Sequence, residues 1–318
     1  MWISKYFIIT ITIVYFLFII YKLYNLLKKP QQRKRYKWFS DEPFNTTIKL
    51  PSNYTNWMKN LPDTMNTKLL SIPGTHDSCA RNFLNETLAK QYYLRCQNWD
   101  ILSQLNAGIR YFDLRPGENF TIYHYIHTLD NLNDTLETMV NFLNKYPSEF
   151  LIVRFQFQNH TCLTNEIEEC KIKFTKPVFD KYINYFYEGN DFPMIGKIRG
   201  KIFPLIEYFT YENFLDWTKG IDNLFFLQDF YLLLNKKKDI KLKKKLIYEY
   251  MYIKNLTKPV INHISAVPNY INISMENLII LLNEVPFRYN NYRGIFPINF
   301  PSEELVRHII EQNFFYFS

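Results

Sequence analysis

Glycine is scarce in this chain, with 8 residues in 318, and that scarcity excludes a fibrous or low-complexity protein. Cysteine is scarcer, at 4 residues, and no C-x-x-C or H-x-x-x-H spacing supports a zinc site. Acidic residues fall short of basic ones, 30 against 38, which leaves a net charge of +8. The surplus gathers at Lys28 to Lys37 and Lys236 to Lys245, as expected of a chain that meets an anionic surface or presents solvated helix faces. No nucleic-acid module of recognisable spacing accompanies it, and no internal repeat is visible. What the chain has in quantity is apolar and aromatic side chain, 47% and 18% of residues, far above a disordered composition. A single α/β barrel of roughly 250 residues with an N-terminal extension fits the length.

Tyr6 to Ile20 is an unbroken apolar and aromatic run with two threonines, and it continues around Lys22 to Leu27. At about 1.5 Å per residue it reaches the roughly 30 Å of a bilayer's hydrocarbon if Lys22 snorkels. Small residues that would mark a cleavage site do not follow it, so residues 1–27 read as an uncleaved transmembrane anchor and 28–45 as a basic stalk. Two signals for orientation oppose one another. Lys28, Lys29, Arg33, Lys34, Arg35 and Lys37 follow the run and would keep the body cytosolic. Against this, Asn45, Asn53, Asn85, Asn119, Asn133, Asn159, Asn255 and Asn272 each begin an N-x-S/T triplet, a glycan acceptor only in the secretory lumen. Cys79 with Cys96, and Cys162 with Cys170, are close enough in sequence for two disulfides. The expectation is a single-pass membrane protein, a monomer, with its body lumenal or extracellular.

From about residue 46 to 318, short apolar runs alternate with helix-period stretches. The expected strands are Lys68 to Ile72, Arg110 to Leu114, Thr121 to Ile126, Phe150 to Phe157, Lys201 to Ile206, Leu224 to Leu227, Val260 to Ile264 and Gly294 to Ile298. Between them Leu132 to Lys145, Phe174 to Tyr187, Ile240 to Tyr252, Met275 to Asn283 and Ser302 to Asn313 have amphipathic spacing. The rhythm predicts an α/β fold, an irregular (β/α)8 TIM-like barrel with its chemistry at the carboxyl ends of the strands.

Polar residues following the runs are therefore the ones that matter. Ser71-Ile72-Pro73-Gly74-Thr75-His76-Asp77-Ser78 is an apolar strand that ends in a turn presenting His76 beside Asp77. Gly108 to Arg115 is a second strand, with Asp113 and Arg115 on one face by period-2 alternation; an arginine there can clamp a phosphate with two parallel hydrogen bonds. Thr121 to His127 delivers His124 and His127. Two imidazoles and a guanidinium suffice for phosphodiester cleavage without a metal: one base, one acid, and a cation for the charge on phosphorus. Arg115 among the ligands would also oppose a bound cation.

The string Ser71 to Ser78, the Gly108 to Arg115 strand and Tyr146-Pro147-Ser148-Glu149 together resemble the X region of phosphatidylinositol-specific phospholipases C, most closely the bacterial and small single-domain type. Arg199 to Ile202, Leu227 to Tyr231 and Gly294 to Asn299 follow in the family's order, so the resemblance spans about Lys68 to Asn313. It implies that His76 is the base that deprotonates the inositol 2-hydroxyl, that His127 is the acid, assisted by Asp77, and that Arg115, positioned by Asp113, binds the phosphate. It further implies that Asp229 and Tyr231 hold the inositol ring, that the substrate is phosphatidylinositol or a related inositol lipid, and that no cofactor is used. His124 is the rival for the acid role, because Thr128 replaces the glycine that usually follows the second histidine.

Three positions depart from the family. Asn299 stands where the bacterial-type enzymes have an aspartate that orients the base; Glu207 replaces a basic residue, and Gln156 a lysine near the ring. An amide can fix the tautomer of His76 but cannot stabilise an imidazolium by charge. A catalytically weakened barrel that binds lipid or glycan is therefore the alternative expectation. Tyr92, Tyr93, Trp99, Phe287, Tyr289 and Tyr292 are candidates for a membrane-facing rim.

Overall fold

A computed structural model of the chain describes residues 54–81, 83, 94–158, 173, 176–189, 191–207, 215–216, 225–233, 236–253, 257–268 and 292–314. Eight strands form one all-parallel sheet: β1 (Ser71–Thr75), β2 (Tyr111–Leu114), β5 (Leu151–Gln156), β6 (Ile202–Glu207), β7 (Leu215–Asp216), β8 (Phe226–Gln228), β10 (Val260–Asn262) and β12 (Gly294–Ile298). Their order is β7-β6-β5-β2-β1-β12-β10-β8, so β1 lies at the centre between β2 and β12. Two small pairs lie outside it: the antiparallel hairpin of β3 (Thr121–His124) with β4 (His127–Asn131), and β9 (Leu232–Leu233) with β11 (Val267–Pro268).

Continuous apolar runs make the central strands, as a parallel sheet covered on both faces requires. Every residue of β1, β2, β6 and β12 is buried. β5 and β6 stay in register from Leu151 opposite Ile202 to Gln156 opposite Glu207, and β1 and β12 from Ser71 opposite Gly294 to Thr75 opposite Ile298. Both registers bring polar residues together at the carboxyl ends. Gly74 is where β1 approaches β2 most closely, since a Cβ there would lie 2.7 Å from the Tyr111 ring.

Helix α1 (Ile101–Ala107) is capped by Asp100, whose carboxylate accepts from Ser103 N, and stopped by Gly108 at φ 100°. Helix α2 (Leu132–Lys145) takes Asn131 as its cap and buries Leu132, Leu136, Met139, Val140 and Leu143, the 3-to-4 spacing of one face. Helix α4 (Glu303–Glu311) begins at Ser302 and buries Leu305, Val306, Ile309 and Ile310. Helix α3 (Lys236–Met251) breaks the pattern: Ile240, Ile247 and Met251 face the core, and Lys243 shares that stripe, fully buried.

Seven of the eight expected strands lie in the main sheet, and of these only Gly294 to Ile298 keeps both expected ends. Lys68 to Leu69 belongs to a 3-10 turn, so β1 starts three residues later than expected and runs through Pro73 to Thr75. Thr121 to Ile126 is the exception, because its strand pairs with β4 in the hairpin; Leu215–Asp216 supplies the eighth sheet strand. The Met275 to Asn283 stretch, the apolar run at 6–27 and the stalk lie outside the described residues. Among the described residues no helix is long and apolar enough to cross a membrane.

Candidate active site

The turn after β1 is built almost entirely from hydrogen bonds to its neighbours. His76 N donates to Ile298 O of β12 (3.1 Å), and Ser78 N donates to Asp113 O (2.9 Å). Between them Asp77 adopts φ 44°, a left-handed conformation in which its N–H reaches Asp113 Oδ2 at 3.2 Å. Two buried glutamines fasten the turn from outside. Gln97 Nε2 donates to both His76 O and Ile298 O, while Gln104 Nε2 donates to Ser78 O and its Oε1 accepts the Thr75 hydroxyl.

The His76 ring is held at both nitrogens. Nδ1 lies 3.0 Å from Asn299 Oδ1, an acceptor, so Nδ1 carries the proton and Nε2 keeps its lone pair. Arg115 Nη2 approaches that lone pair at 3.2 Å. The same guanidinium places Nε 2.5 Å from Asp77 Oδ1 and Nη2 3.4 Å from Asp113 Oδ2, and it remains 15% exposed. Asp77 also turns Oδ2 toward His124 Nε2 at 3.3 Å. His124 is buried, and burial lowers its pKa, with the Asp77 charge opposing that effect. An incoming phosphodiester anion would favour its protonated form further.

The β3–β4 hairpin places the two candidate acids differently. A two-residue turn, Tyr125-Ile126, sets His124 opposite His127. His124 enters the cluster, whereas His127 packs edge-on against the Phe83 ring with centroids 5.6 Å apart. Sequence spacing favoured His127; the geometry brings His124 to Asp77.

Beneath this cluster lies a chain of alternating charge. Asp113 is buried and accepts from Arg115, while its other oxygen stands 3.5 Å from Arg154 Nη1. Burial alone would raise the Asp113 carboxyl, but Arg154 and Arg115 hold it well below the usual carboxylate range. Arg154 in turn donates from Nε to Glu207 Oε2 at 2.6 Å, and Gln156 donates to Glu207 Oε1 at 3.1 Å. Thus the acidic Glu207, anomalous in the sequence, is neutralised by an arginine two residues before Gln156 on the adjacent strand.

Asp229 and Tyr231 follow β8 at the same carboxyl end, both exposed, with Tyr231 55% open to solvent. Their loop is fixed through Gln228, whose Oε1 accepts from Phe230 N (2.9 Å) and Lys243 Nζ (3.0 Å) and whose Nε2 donates to Asn262 Oδ1 and His263 O. Burial pushes Lys243 down to about 7. His263, buried, sits edge-on to His76 with ring centroids 6.0 Å apart. It lies inside the expected strand run Val260 to Ile264 but was not singled out as a site residue, and it directly follows β10. Gln97, Gln104 and Arg154 escaped too, and nothing in their spacing announces them.

Two expectations need correction. Cys79 and Cys96 are free buried thiols and not a disulfide; burial raises both thiols well above the ordinary range. Cys162 and Cys170 lie outside the described residues, as do Tyr92, Tyr93, Phe287 and Tyr289. Trp99 and Tyr292 are core residues, 8% and 1% exposed, and cannot form a rim. The exposed apolar side chains near the site are instead Tyr125 and Ile126 at the hairpin turn and Tyr231 and Leu232 after β8. Cys96 does place its sulfur with His76 and Asp77 so that their ligand atoms lie within 4.8 Å of one another. Arg115 already occupies the Asp77 carboxylate, and its fixed charge opposes a cation there.

A parallel α/β barrel sheet with an imidazole, a guanidinium and paired carboxylates at its carboxyl end, joined by a second imidazole from the β3–β4 hairpin, defines a phosphodiesterase-type site. No protein-family model matches the chain. Comparison with curated proteins finds the 1-phosphatidylinositol phosphodiesterase of Listeria monocytogenes, 31% identical over 301 residues, 88% of this chain and 91% of that enzyme. The human PI-PLC X domain-containing protein 2 is 30% identical over 166 residues, 41% of this chain and 54% of that protein. Among solved structures, the Listeria monocytogenes phosphatidylinositol-specific phospholipase C superposes with a TM-score of 0.69 at 29% identity, covering 81% of this chain and 98% of that one. The chain belongs to the phosphatidylinositol-specific phospholipase C family.

Proposed function

We propose that this protein cleaves phosphatidylinositol or a related inositol lipid to diacylglycerol and a cyclic inositol phosphate, without a metal. The observation that carries the reading is His76, with Nδ1 held by Asn299 and the Nε2 lone pair directed at Arg115 beside the Asp77–His124 pair. His76 Nε2 takes the proton of the inositol 2-hydroxyl, whose oxygen forms a bond to phosphorus. Arg115 neutralises the charge that builds on the phosphoryl oxygens. The bond from phosphorus to the diacylglycerol oxygen breaks, and His124 supplies the proton that this oxygen needs. Ring closure is favoured because the nucleophile belongs to the substrate itself. Asp229 and Tyr231 hold the inositol ring, the carboxylate by hydrogen bonds and the aromatic ring by stacking.

The exposed Tyr125 and Ile126, beside His124 on one hairpin, are proposed to meet the bilayer surface. For placement we propose a single membrane anchor with the body lumenal or extracellular. The exposed Asn119 among the N-x-S/T acceptors supports it, while the free thiols of Cys79 and Cys96 remove one earlier argument for an oxidising compartment. Sensitivity of the native protein to a glycosidase would test the topology.

Incubating the full chain with phosphatidylinositol and a chelator tests the reaction. Cyclic inositol phosphate is expected, lost in His76→Ala and His124→Ala, while His127→Ala retains most turnover. Retained lipid binding with no product would overturn the enzymatic reading and leave a binding module.

A further inference from the structure

His263 has a function to fill. Its ring is 1% exposed, on the first residue after β10, and it lies against the base His76 on one side and Asp229 on the other. Nδ1 stands 3.1 Å from Ser265 Oγ and 3.8 Å from Asp229 Oδ1. Nε2 is buried and has no hydrogen-bond partner among the described residues. Burial drives the imidazole down to about 4, so the ring is neutral at physiological pH. A neutral ring carries one proton, and the Asp229 charge and the Ser265 oxygen both favour it on Nδ1. Nε2 is then a lone-pair acceptor, desolvated and unmet, an arrangement that costs stability unless a donor arrives.

We infer that His263 Nε2 accepts a hydrogen bond from a hydroxyl of the substrate's inositol ring, making it a specificity-determining residue of the headgroup site. The inference rests on the phosphodiesterase reading and deepens it. If His76 receives the proton of the 2-hydroxyl, the group nearest the adjoining His263 ring is the neighbouring 3-hydroxyl, since the other neighbour of the 2-hydroxyl carries the phosphate. A headgroup without that donor would leave Nε2 unpaired, which is how a buried polar group rejects the wrong ligand.

The test pairs two substrates with two variants of the full chain. Phosphatidylinositol and its 3-deoxy-inositol analogue are presented in identical mixed micelles to wild type, His263→Phe and His263→Gln. Wild type is expected to lose roughly tenfold in kcat/KM on the deoxy analogue. His263→Phe should lose about the same on phosphatidylinositol and nothing further on the analogue, and His263→Gln, which restores an acceptor, should recover part of the loss. Equal penalties for the missing hydroxyl in wild type and His263→Phe, or a His263→Phe enzyme as fast as wild type, would overturn the assignment. Binding of myo-inositol and 3-deoxy-inositol, measured by calorimetry, separates the two readings. If wild type turns over no lipid yet discriminates the two polyols, and His263→Phe does not, the hydroxyl contact stands while the phosphodiesterase reading falls. If wild type neither turns over lipid nor discriminates the polyols, both fall.

Discussion

Strand β2 carries the contrast between the two ends of the barrel sheet, because an arginine stands just beyond each of its termini. Arg110, at the amino end, is sealed: its side chain is 0% exposed, its Nε and Nη2 donate to Glu149, and its remaining donors reach Leu105 O, Ile109 O and Thr55 O. Arg115, at the carboxyl end, keeps a solvent-facing side and spreads itself over His76, Asp77 and Asp113. One residue type therefore does two jobs five positions apart. A guanidinium whose donors are all satisfied by protein is structural, and one left facing an opening is available to a substrate anion.

Exchanging the two arginines for alanine should break that contrast most visibly. Arg110→Ala leaves Glu149 buried without its partner and should cost about 3–5 kcal/mol of stability, read from denaturant midpoints. Arg115→Ala also removes a partner of the buried Asp77, but Arg154 still faces Asp113, so its loss of stability should be the smaller of the two while kcat/KM falls by about 10²–10³ or more. If Arg110→Ala kept its stability, or Arg115→Ala its activity, the division between the ends would be lost.

Asn299→Asp sharpens the picture within the carboxyl end. A carboxylate at the same 3.0 Å from His76 Nδ1 would stabilise the imidazolium that proton transfer creates, so kcat is expected to rise by about tenfold or more. An unchanged or lower kcat would show that the amide already does what the site needs.

Smaller effects should come from the surface near the site. Ile126→Asp, at a side chain 78% exposed on the hairpin turn, should lower vesicle binding and vesicle turnover a few-fold and leave hydrolysis of a dispersed short-chain inositol lipid unchanged. Sedimentation with lipid vesicles measures the first, and monomeric substrate below its micellar concentration the second.

A further contrast is in how stability depends on pH. Lys243 falls from an ordinary 10.5 to about 7 on burial, so between these values the unfolded chain binds more protons than the folded one and stability rises with pH. His263, lowered from 6.5 to about 4, acts in the same direction at lower pH: stability falls as the solution is acidified through that window. Lys243→Met should flatten the upper slope and leave the lower one, and urea midpoints across pH 5 to 10 would show it.

How much of this was legible in the sequence follows from the range of the interactions involved. β1, β2 and β12 were readable because each is an apolar run ending in a polar cluster, and the order of those clusters matched a family. Thr121 to His124 was correctly read as extended, while Tyr125 and Ile126 form the turn; sheet membership depends on which strand the run pairs with, and the run does not say. Leu215–Asp216 is too short to have a period. That His124 and not His127 lies beside Asp77 was out of reach, since a two-residue turn sets the two histidines opposite one another and only tertiary packing separates their surroundings. Glu207 looked like a lost function because its partner Arg154 lies 53 positions away in sequence, one strand over.

Asp77 is where backbone and side chain are constrained together. Its left-handed φ of 44° is tolerated best by glycine, asparagine and aspartate, while its carboxylate must satisfy Arg115 and His124 at once. Glycine would keep the turn and lose both ion pairs; glutamate would keep a charge and strain the turn. The two filters overlap on almost a single amino acid. A position restricted twice drifts slowly through sequence space, and it gives a short string such as Gly74 to Ser78 enough information to mark the fold in a chain whose other positions have largely diverged.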